Sequence, residues 1–209
     1  MLKIARFAVM GAPIAHSLSP LIHYSFAKQT GIKLRYDKLY VKQADFAREI
    51  TSFFTLGGVG LNITSPLKTL AYQSSDVQNT RCQAVQSANT LWYADGKLHA
   101  DNTDGQGLIM DLQKYVDIYG QTILILGAGG AALGIIPSLL SLKPHSIAIL
   151  NRTQAKAVRL TDTFANTVIL AAPSKSYDII INATSGNGDL CCDETLKKAR
   201  FCYDLCYAY

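Results

Sequence analysis

The chain has 209 residues, of which 49% are hydrophobic and 17% charged, so it predicts one or two globular domains and excludes a disordered protein. The formal net charge of +5 is spread without a run of lysines or arginines, which argues against a nucleic-acid partner. Its five cysteines form no C-x-x-C pair, so we expect no metal site or disulfide framework, and a location in the reducing cytoplasm. No apolar stretch approaches the length of a membrane span.

The first hundred residues predict an α/β unit in which strands and helices alternate. In chain order the pattern predicts a strand over 4–10, a helix over 21–30, a strand over 34–41, a helix over 43–55, a strand over 59–63, a helix opened by Thr64-Ser65-Pro66, and a hairpin of 88–92 and 97–100. The hydroxyls of Ser17 and Ser19 are suited either to cap the first helix or to point into a cleft.

The second hundred residues predict a parallel sheet covered on both faces, because near-continuous β-branched runs alternate with helical segments. A helix over 105–115 leads into strands over 122–126, 146–150, 168–171, 178–182 and 201–205, with helices over 130–142 and 154–164. The sequence therefore predicts two domains, residues 1–104 and residues 105–209.

A glycine-rich turn, Gly127-Ala128-Gly129-Gly130-Ala131-Ala132, lies between a predicted strand and a predicted helix. In a dinucleotide site Gly127 would allow the tight turn, Gly129 would let the backbone approach a pyrophosphate, and Ala132 would permit close packing of the helix. The helix N-terminus would attract the phosphates. A purely structural turn is the alternative, but the strand and helix on either side favour dinucleotide binding.

The end of the next strand predicts which dinucleotide binds. NAD-binding proteins usually carry an acidic residue about 20 positions after the glycine loop. Here the segment reads Asn151-Arg152-Thr153-Gln154-Ala155-Lys156, without a carboxylate that would repel a 2′-phosphate. Arg152 and Lys156 are suited to bind that phosphate, which favours NADP. The alternative is an ordinary solvated helix start that Thr153 caps.

Polar residues in the first half of the chain predict a substrate site that would act together with the dinucleotide. Asn62 and Thr64 follow a predicted strand, where ligands gather in open α/β sheets, and Asn89 lies among apolar residues. Lys68 is in the first turn of a helix, where the helix dipole disfavours a cation. A surface lysine and a capping Asp104 are the alternatives, but a lysine and a carboxylate can share proton transfer to an alcohol or ketone.

These strings occur in one order along the chain: Gly11-x-Pro13-Ile14-x-His16-Ser17-x-Ser19-Pro20, Asn62-x-Thr64-x-Pro66-x-Lys68, Asn89-Thr90-Leu91, Asn102-Thr103-Asp104-Gly105, Gly127-Ala128-Gly129-Gly130-Ala131, Asn151-Arg152-Thr153, Asn182-Ala183-Thr184-Ser185 and Tyr203-Asp204-Leu205-x-Tyr207. In this order they closely resemble the shikimate dehydrogenase family, from the first strand to the last residue. So many matches in one order are far more specific than the glycine loop alone.

The resemblance implies an N-terminal α/β substrate domain with a mixed, mainly parallel sheet, followed by a Rossmann-type, doubly wound domain that binds NADP(H). It implies reversible reduction of 3-dehydroshikimate to shikimate, in aromatic amino-acid and chorismate biosynthesis, with Lys68 and Asp104 as the catalytic pair. The implied substrate contacts are Ser17, Ser19, Asn62, Thr64, Lys68, Asn89, Asp104 and Tyr207. The implied cofactor contacts are Gly127, Ala128, Gly129, Gly130, Ala131, Asn151, Arg152, Thr153, Lys156, Asn182, Thr184, Ser185 and Leu205.

The chain departs from the family at its end. It stops at Tyr207-Ala208-Tyr209, where family members continue with a further strand, loops and helices. We therefore expect the closing C-terminal segment to be absent, apolar surface to be exposed, and activity to weaken or a homodimer to compensate. The alternatives are a quinate/shikimate dehydrogenase of relaxed specificity, and a non-catalytic protein that binds a metabolite or NADP.

Overall fold

The chain divides into two compact units. The computed structural model describes residues 4–164, 168–171, 176–184 and 193–206, with no side-chain description for residues 193 and 194. The units are Met1–Thr103 and Asp104–Tyr209, so the division falls one residue before the boundary that the sequence predicts.

Strands and helices alternate along the first unit, as the sequence predicts. They are β1 (Ala5–Gly11), α1 (Ser19–Thr30), β2 (Leu34–Tyr40), a 3₁₀ turn (Gln43–Asp45), α2 (Phe46–Thr55), β3 (Gly58–Ile63), α3 (Lys68–Gln73), β4 (Val77–Gln78), α4 (Thr80–Val85), β5 (Thr90–Ala94) and β6 (Lys97–Asp101). Strand β4 and helix α4 were not predicted from the sequence, because elements this short show no measurable hydrophobic period.

The strands of residues 4–103 form one mixed sheet in the order β2-β1-β3-β5-β6-β4. Strand β1 is parallel to β2 and β3, whereas β5 is antiparallel to β3 and β6, which confirms the predicted hairpin. The mixed sheet of the predicted fold class is also confirmed.

The alternation of side chains along β3 and β5 separates a core from a polar surface. Leu61, Ile63 and Leu91 point to one face, where they pack in a buried cluster with residues of α2. Asn62 and Thr90 pair across the two strands and point to the other face. That face carries the polar side chains of the candidate site.

The second unit is built on a parallel sheet. Its elements are α5 (Asp104–Leu112), β7 (Thr122–Leu126), α6 (Gly130–Ser141), β8 (Ser146–Leu150), α7 (Gln154–Thr163), β9 (Val168–Leu170), β10 (Ile179–Asn182), α8 (Asp193–Lys198) and β11 (Phe201–Asp204). The described strands lie in the order β11-β10-β7-β8-β9, and each neighbouring pair is parallel.

Both faces of this sheet are covered, as expected of a doubly wound fold. Ile123 and Ile125 pack with α5, α6 and α7, whereas Leu124 and Leu126 pack with Tyr177 on the opposite face. The strand order reverses between β7 and β10, and open α/β sheets bind ligands at the carboxyl ends of the strands there. The Rossmann-type fold is therefore confirmed. None of the helices in the described part of the chain is long and apolar enough to cross a membrane.

Candidate functional site

The glycine loop follows β7 at the point where the strand order reverses. Gly127 has φ of +103°, and a Cβ added there would lie 3.0 Å from the carbonyl oxygen of Ala183. Glycine is therefore required by both the backbone conformation and the neighbouring loop. Helix α6 begins directly afterwards, with Gly129 as N-cap and no acidic residue in its first turn. Its N-terminal N–H groups and dipole are suited to hold an anion such as a pyrophosphate.

Asn151 holds this loop against the end of β8. Its Oδ1 accepts from the backbone N–H of Ala128 at 3.2 Å, and its Nδ2 donates to the carbonyl of Thr153 at 2.8 Å. The Asn151 side chain therefore holds the glycine loop in its conformation. Thr153 is the N-cap residue of α7, in agreement with the alternative interpretation, although its side chain makes no capping hydrogen bond.

The remaining residues predicted to hold the 2′-phosphate are exposed at the start of α7. Arg152, Thr153 and Lys156 all lie on the surface beside the loop. An exposed guanidinium and ammonium at this position fit a phosphate, and no carboxylate lies among residues 151–156. These side chains fit NADP(H) better than NAD(H).

The ends of β10 and β11 lie next to the glycine loop. Asn182 Oδ1 accepts from the hydroxyl of Thr184 at 2.7 Å, and its Nδ2 donates to Asp204 at 3.0 Å. The backbone N–H of Leu205 donates to the carbonyl of Asn182 at 3.0 Å. The predicted residues Asn182, Thr184 and Leu205 are thus brought together. Ser185 and Tyr207 lie outside the described residues.

In the first unit, Ser17 and Ser19 lie at the start of α1. The N-cap residue is Leu18, so neither serine occupies the capping position. Ser17 is buried, its Oγ accepts from the N–H of Ser19 at 3.3 Å, and its hydroxyl donates to Ser19 Oγ at 3.1 Å. The two hydroxyls are therefore coupled to each other at the helix start, and their contact with a substrate stays a prediction.

Tyr36 on β2 was not predicted from the sequence, and its side chain contacts β3. Its hydroxyl donates to Asn62 Oδ1 at 2.6 Å. Burial raises the pKa of Tyr36 to about 12, although a hydrogen bond with Ser19 lowers it. The only signal for it in the sequence is a tyrosine at an inward position of an alternating strand, which is equally typical of a core residue.

Asn89 extends the network across the sheet. Its Nδ2 donates to Thr103 Oγ1 at 3.0 Å, and its Oδ1 accepts from the N–H of Thr103 at 3.1 Å and from the hydroxyl of Thr90 at 2.7 Å. Asn89 is 8% exposed, so these bonds satisfy a polar group that is costly to bury. Thr103 immediately precedes Asp104, the first residue of α5.

Lys68 is half-buried and is the first residue of α3, as predicted. Its carbonyl accepts from the N–H of Ala88 at 2.9 Å, which joins the start of α3 to the segment before Asn89. Thr64 lies just beyond the end of β3, where its N–H donates to the carbonyl of Met10 at 2.9 Å. Lys68, Thr64 and Asn89 therefore lie on connected segments of one unit.

An ion pair between Arg81 and Asp101 was also not predicted from the sequence. Arg81 donates to both carboxylate oxygens, and Asp101 Oδ1 also accepts from the N–H of Asn102 at 2.7 Å. Asn102 Nδ2 in turn donates to the carbonyl of Ser87 at 2.9 Å. The backbone that leads to Asp104 is thus held at each residue from 101 to 103.

Two family models match these two halves of the chain. The shikimate dehydrogenase substrate binding domain matches residues 9–91. The shikimate / quinate 5-dehydrogenase domain matches residues 111–204. Together they cover most of the sequence in the order in which the substrate-side network and the dinucleotide loop occur.

The chain belongs to the shikimate dehydrogenase family. It is 47% identical over 210 residues to a shikimate dehydrogenase (NADP(+)) of Legionella pneumophila, covering 98% of this chain and 79% of that protein. Among solved structures of similar fold is an Ael1 enzyme from Pseudomonas putida, at a TM-score of 0.88 and 33% identity over 98% of this chain and 79% of that one.

A family member has also been solved with its ligands. The shikimate 5-dehydrogenase of Thermus thermophilus, in complex with NADP(H) and shikimate, matches at a TM-score of 0.78 and 28% identity, over 87% of this chain and 69% of that one. The resemblance read from the sequence motifs is therefore confirmed at the level of the family.

Proposed function

We propose that this protein is an NADP-dependent shikimate dehydrogenase, which reversibly reduces 3-dehydroshikimate to shikimate in chorismate and aromatic amino-acid biosynthesis. The observation that carries the proposal is the 47% identity, over 98% of the chain, to a protein of that name. The anion-suited loop at the switch point and the exposed Arg152 agree with this cofactor.

Each unit has its own part in the proposal. Residues 1–104 form the substrate-binding and catalytic domain, with Ser17, Ser19, Asn62, Thr64 and Asn89 as substrate contacts. Tyr207, from the second half of the chain, is a further proposed substrate contact. Residues 105–209 bind NADP(H) through the loop 127–131, Asn151, Arg152, Thr153, Lys156, and the strand-end residues Asn182, Thr184, Ser185 and Leu205. Within this set, Asn151 acts by holding the loop, because its amide already bonds to Ala128 and Thr153.

The proposed chemistry centres on Lys68 and Asp104. NADPH, when bound, supplies the hydride that reduces the ketone. Lys68 donates a proton to the oxygen of that ketone, or takes it back in the reverse direction, and Asp104 orients the ammonium group. The start of α3 is fixed through the backbone bond to Ala88, which limits the positions that the Lys68 side chain can take.

We further propose a cytoplasmic location, a homodimer and no nucleic-acid partner. Among the described residues, Cys82 and Cys202 form no disulfide, which agrees with a reducing compartment. Helix α1 buries none of its residues and exposes Leu21, Ile22 and Phe26, which would favour self-association. Analytical ultracentrifugation measures the oligomeric state, and a monomer at micromolar concentration would remove that part of the proposal.

The test of function mixes the purified protein with shikimate and NADP⁺ and follows the absorbance of the reduced cofactor. We expect turnover with shikimate and NADP⁺, and much weaker turnover with NAD⁺. Comparable turnover with quinate would favour the relaxed quinate/shikimate enzyme. No turnover, together with saturable binding of shikimate in calorimetry, would favour a binding protein and overturn the enzymatic proposal.

A further inference from the structure

The buried phenol of Tyr36 contacts a residue assigned above to the substrate. Its hydroxyl donates to Asn62 Oδ1 at 2.6 Å, and only 3% of the residue is exposed. We propose that Tyr36 is a positioning residue of the substrate site, which fixes the orientation of the Asn62 amide toward the substrate. This inference rests on the proposed function.

The contacts of the Asn62 nitrogen determine how its amide group is oriented. Its Nδ2 lies 3.4 Å from the carbonyl oxygen of Asn89 and 3.5 Å from Thr90 Oγ1. Since a carbonyl oxygen only accepts, the NH₂ group must face Asn89, and the amide oxygen must face Tyr36. The phenol is therefore the donor in its bond to Asn62.

This assignment also fixes the proton of the phenol, because the single proton of Tyr36 goes to Asn62 Oδ1. Burial raises the pKa of Tyr36 to about 12, so the phenol keeps its proton at every physiological pH.

The Tyr36 ring is itself held in place, because it stacks on His23 with centroids 4.2 Å apart. The Asn62 amide is therefore held on both sides, by Tyr36 at its oxygen and by Asn89 and Thr90 at its nitrogen. Such preorganisation lowers the cost of binding.

The test compares Tyr36→Phe with Tyr40→Phe, which removes the same hydroxyl from a residue of the same strand that is 62% exposed. In Tyr36→Phe we expect the KM for shikimate to rise about 5- to 20-fold, while kcat and the KM for NADP⁺ change by less than about twofold. Tyr40→Phe should match the wild type. An unchanged KM for shikimate in Tyr36→Phe overturns the proposal.

A double-mutant cycle with Asn62→Ser separates positioning from packing. If Tyr36 acts through Asn62, the combined variant will show a KM for shikimate at least about threefold below the product of the two single effects. Effects that simply multiply would mean that the Tyr36 hydroxyl contributes only to packing, which overturns the proposed role.

Failure of the proposed function is visible before any variant is made, as a wild type without shikimate-dependent turnover. Hydrogen exchange of the Asn62 side-chain amide tests the positioning role independently of turnover, with its signal assigned by its loss in Asn62→Ser. We expect exchange at least about fivefold faster in Tyr36→Phe, because the amide is then free to rotate. Equal exchange rates in Tyr36→Phe and Tyr40→Phe overturn the proposal.

Discussion

Arg81 binds Asp101 through both carboxylate oxygens, and this pair holds the backbone that leads to Asp104. The Asp101 side chain is only 10% exposed, whereas that of Arg81 is 45% exposed. Asp101 also accepts from the N–H of Asn102, so the carboxylate joins helix α4 to the segment before the proposed catalytic aspartate. The ion pair thus supports the backbone of the candidate site, although neither Arg81 nor Asp101 is a proposed ligand contact.

Arg81→Ala should lower the free energy of unfolding by about 1–2 kcal/mol, because it leaves a mostly buried carboxylate without its cation, and solvent screens part of the loss. Urea denaturation measures the change. The matched control is Arg48→Ala, whose guanidinium is 72% exposed beside Asp45 and Glu49 and should contribute less than about 0.5 kcal/mol. Equal effects of the two substitutions would show that Arg81 is an ordinary surface residue.

Lys68→Ala should lower kcat by a factor of about 10²–10⁴, because it removes the proposed proton donor. The KM for shikimate should change by less than about threefold, since the loss is confined to the transition state. Steady-state kinetics in both directions measure these constants. Lys97→Ala, at an exposed hairpin position, is the control. Turnover that survives in Lys68→Ala would exclude Lys68 from the chemistry.

The strongly patterned parts of the fold were predictable from sequence. Strands 122–126 and 146–150 were predicted with the bounds that the structure shows, because short, mainly apolar runs that alternate with helical segments are typical of buried parallel strands. The hydrogen bonds between distant residues were not predictable. Tyr36 on β2 and Asn62 on β3 are 26 residues apart, and Arg81 on α4 and Asp101 on β6 are 20 apart, so only the tertiary fold brings each pair together. Periodicity identifies the face of a strand but not its partner.

Arg152→Ser should raise the KM for NADP⁺ about 10- to 100-fold and leave the KM for NAD⁺ nearly unchanged, because the lost charge-assisted bond is specific to the 2′-phosphate. Steady-state kinetics with each cofactor measure the ratio. Arg159→Ser removes an equal charge from an exposed position later on α7 and serves as control. If the KM values for NADP⁺ and NAD⁺ rose equally, Arg152 would have to bind a part of the cofactor that both dinucleotides share.

Two glycines of the dinucleotide loop should respond differently to alanine. Gly127→Ala forces a side chain into φ of +103° and against the Ala183 carbonyl, so it should cost about 1–3 kcal/mol of stability. Gly129 has φ of −96°, and an added Cβ would meet no atom of the described protein within 4 Å. Gly129→Ala should therefore preserve stability within about 0.5 kcal/mol.

The same Gly129→Ala variant should raise the KM for NADP⁺ about tenfold or more, because its methyl group would occupy the surface that approaches the pyrophosphate. Thermal denaturation and kinetics of both glycine variants separate the two effects. If Gly129→Ala bound NADP⁺ as tightly as the wild type, the pyrophosphate would have to lie elsewhere on the loop.

Asp178 ties the start of β10 to β7 and gives a stability term that depends on pH. Its carboxylate accepts from the hydroxyl of Thr122 at 2.6 Å and from the N–H of Thr122 at 2.8 Å, and these bonds lower the pKa of Asp178. Because the folded-state pKa lies below the unfolded value of about 3.9, the contribution is complete above that pH. It is lost as the pH falls through the folded-state pKa.

Thr122→Val removes the hydroxyl and should cost about 1 kcal/mol of unfolding free energy at pH 7. The difference from the wild type should shrink between about pH 4 and pH 2, because protonation of Asp178 cancels the benefit of the bond in the wild type. Urea denaturation across this range measures it. Thr163→Val, whose hydroxyl donates to the carbonyl of Arg159, should differ from the wild type by an amount independent of pH. A Thr122→Val difference that stayed constant down to pH 2 would mean that the hydroxyl does not stabilise the ionised carboxylate.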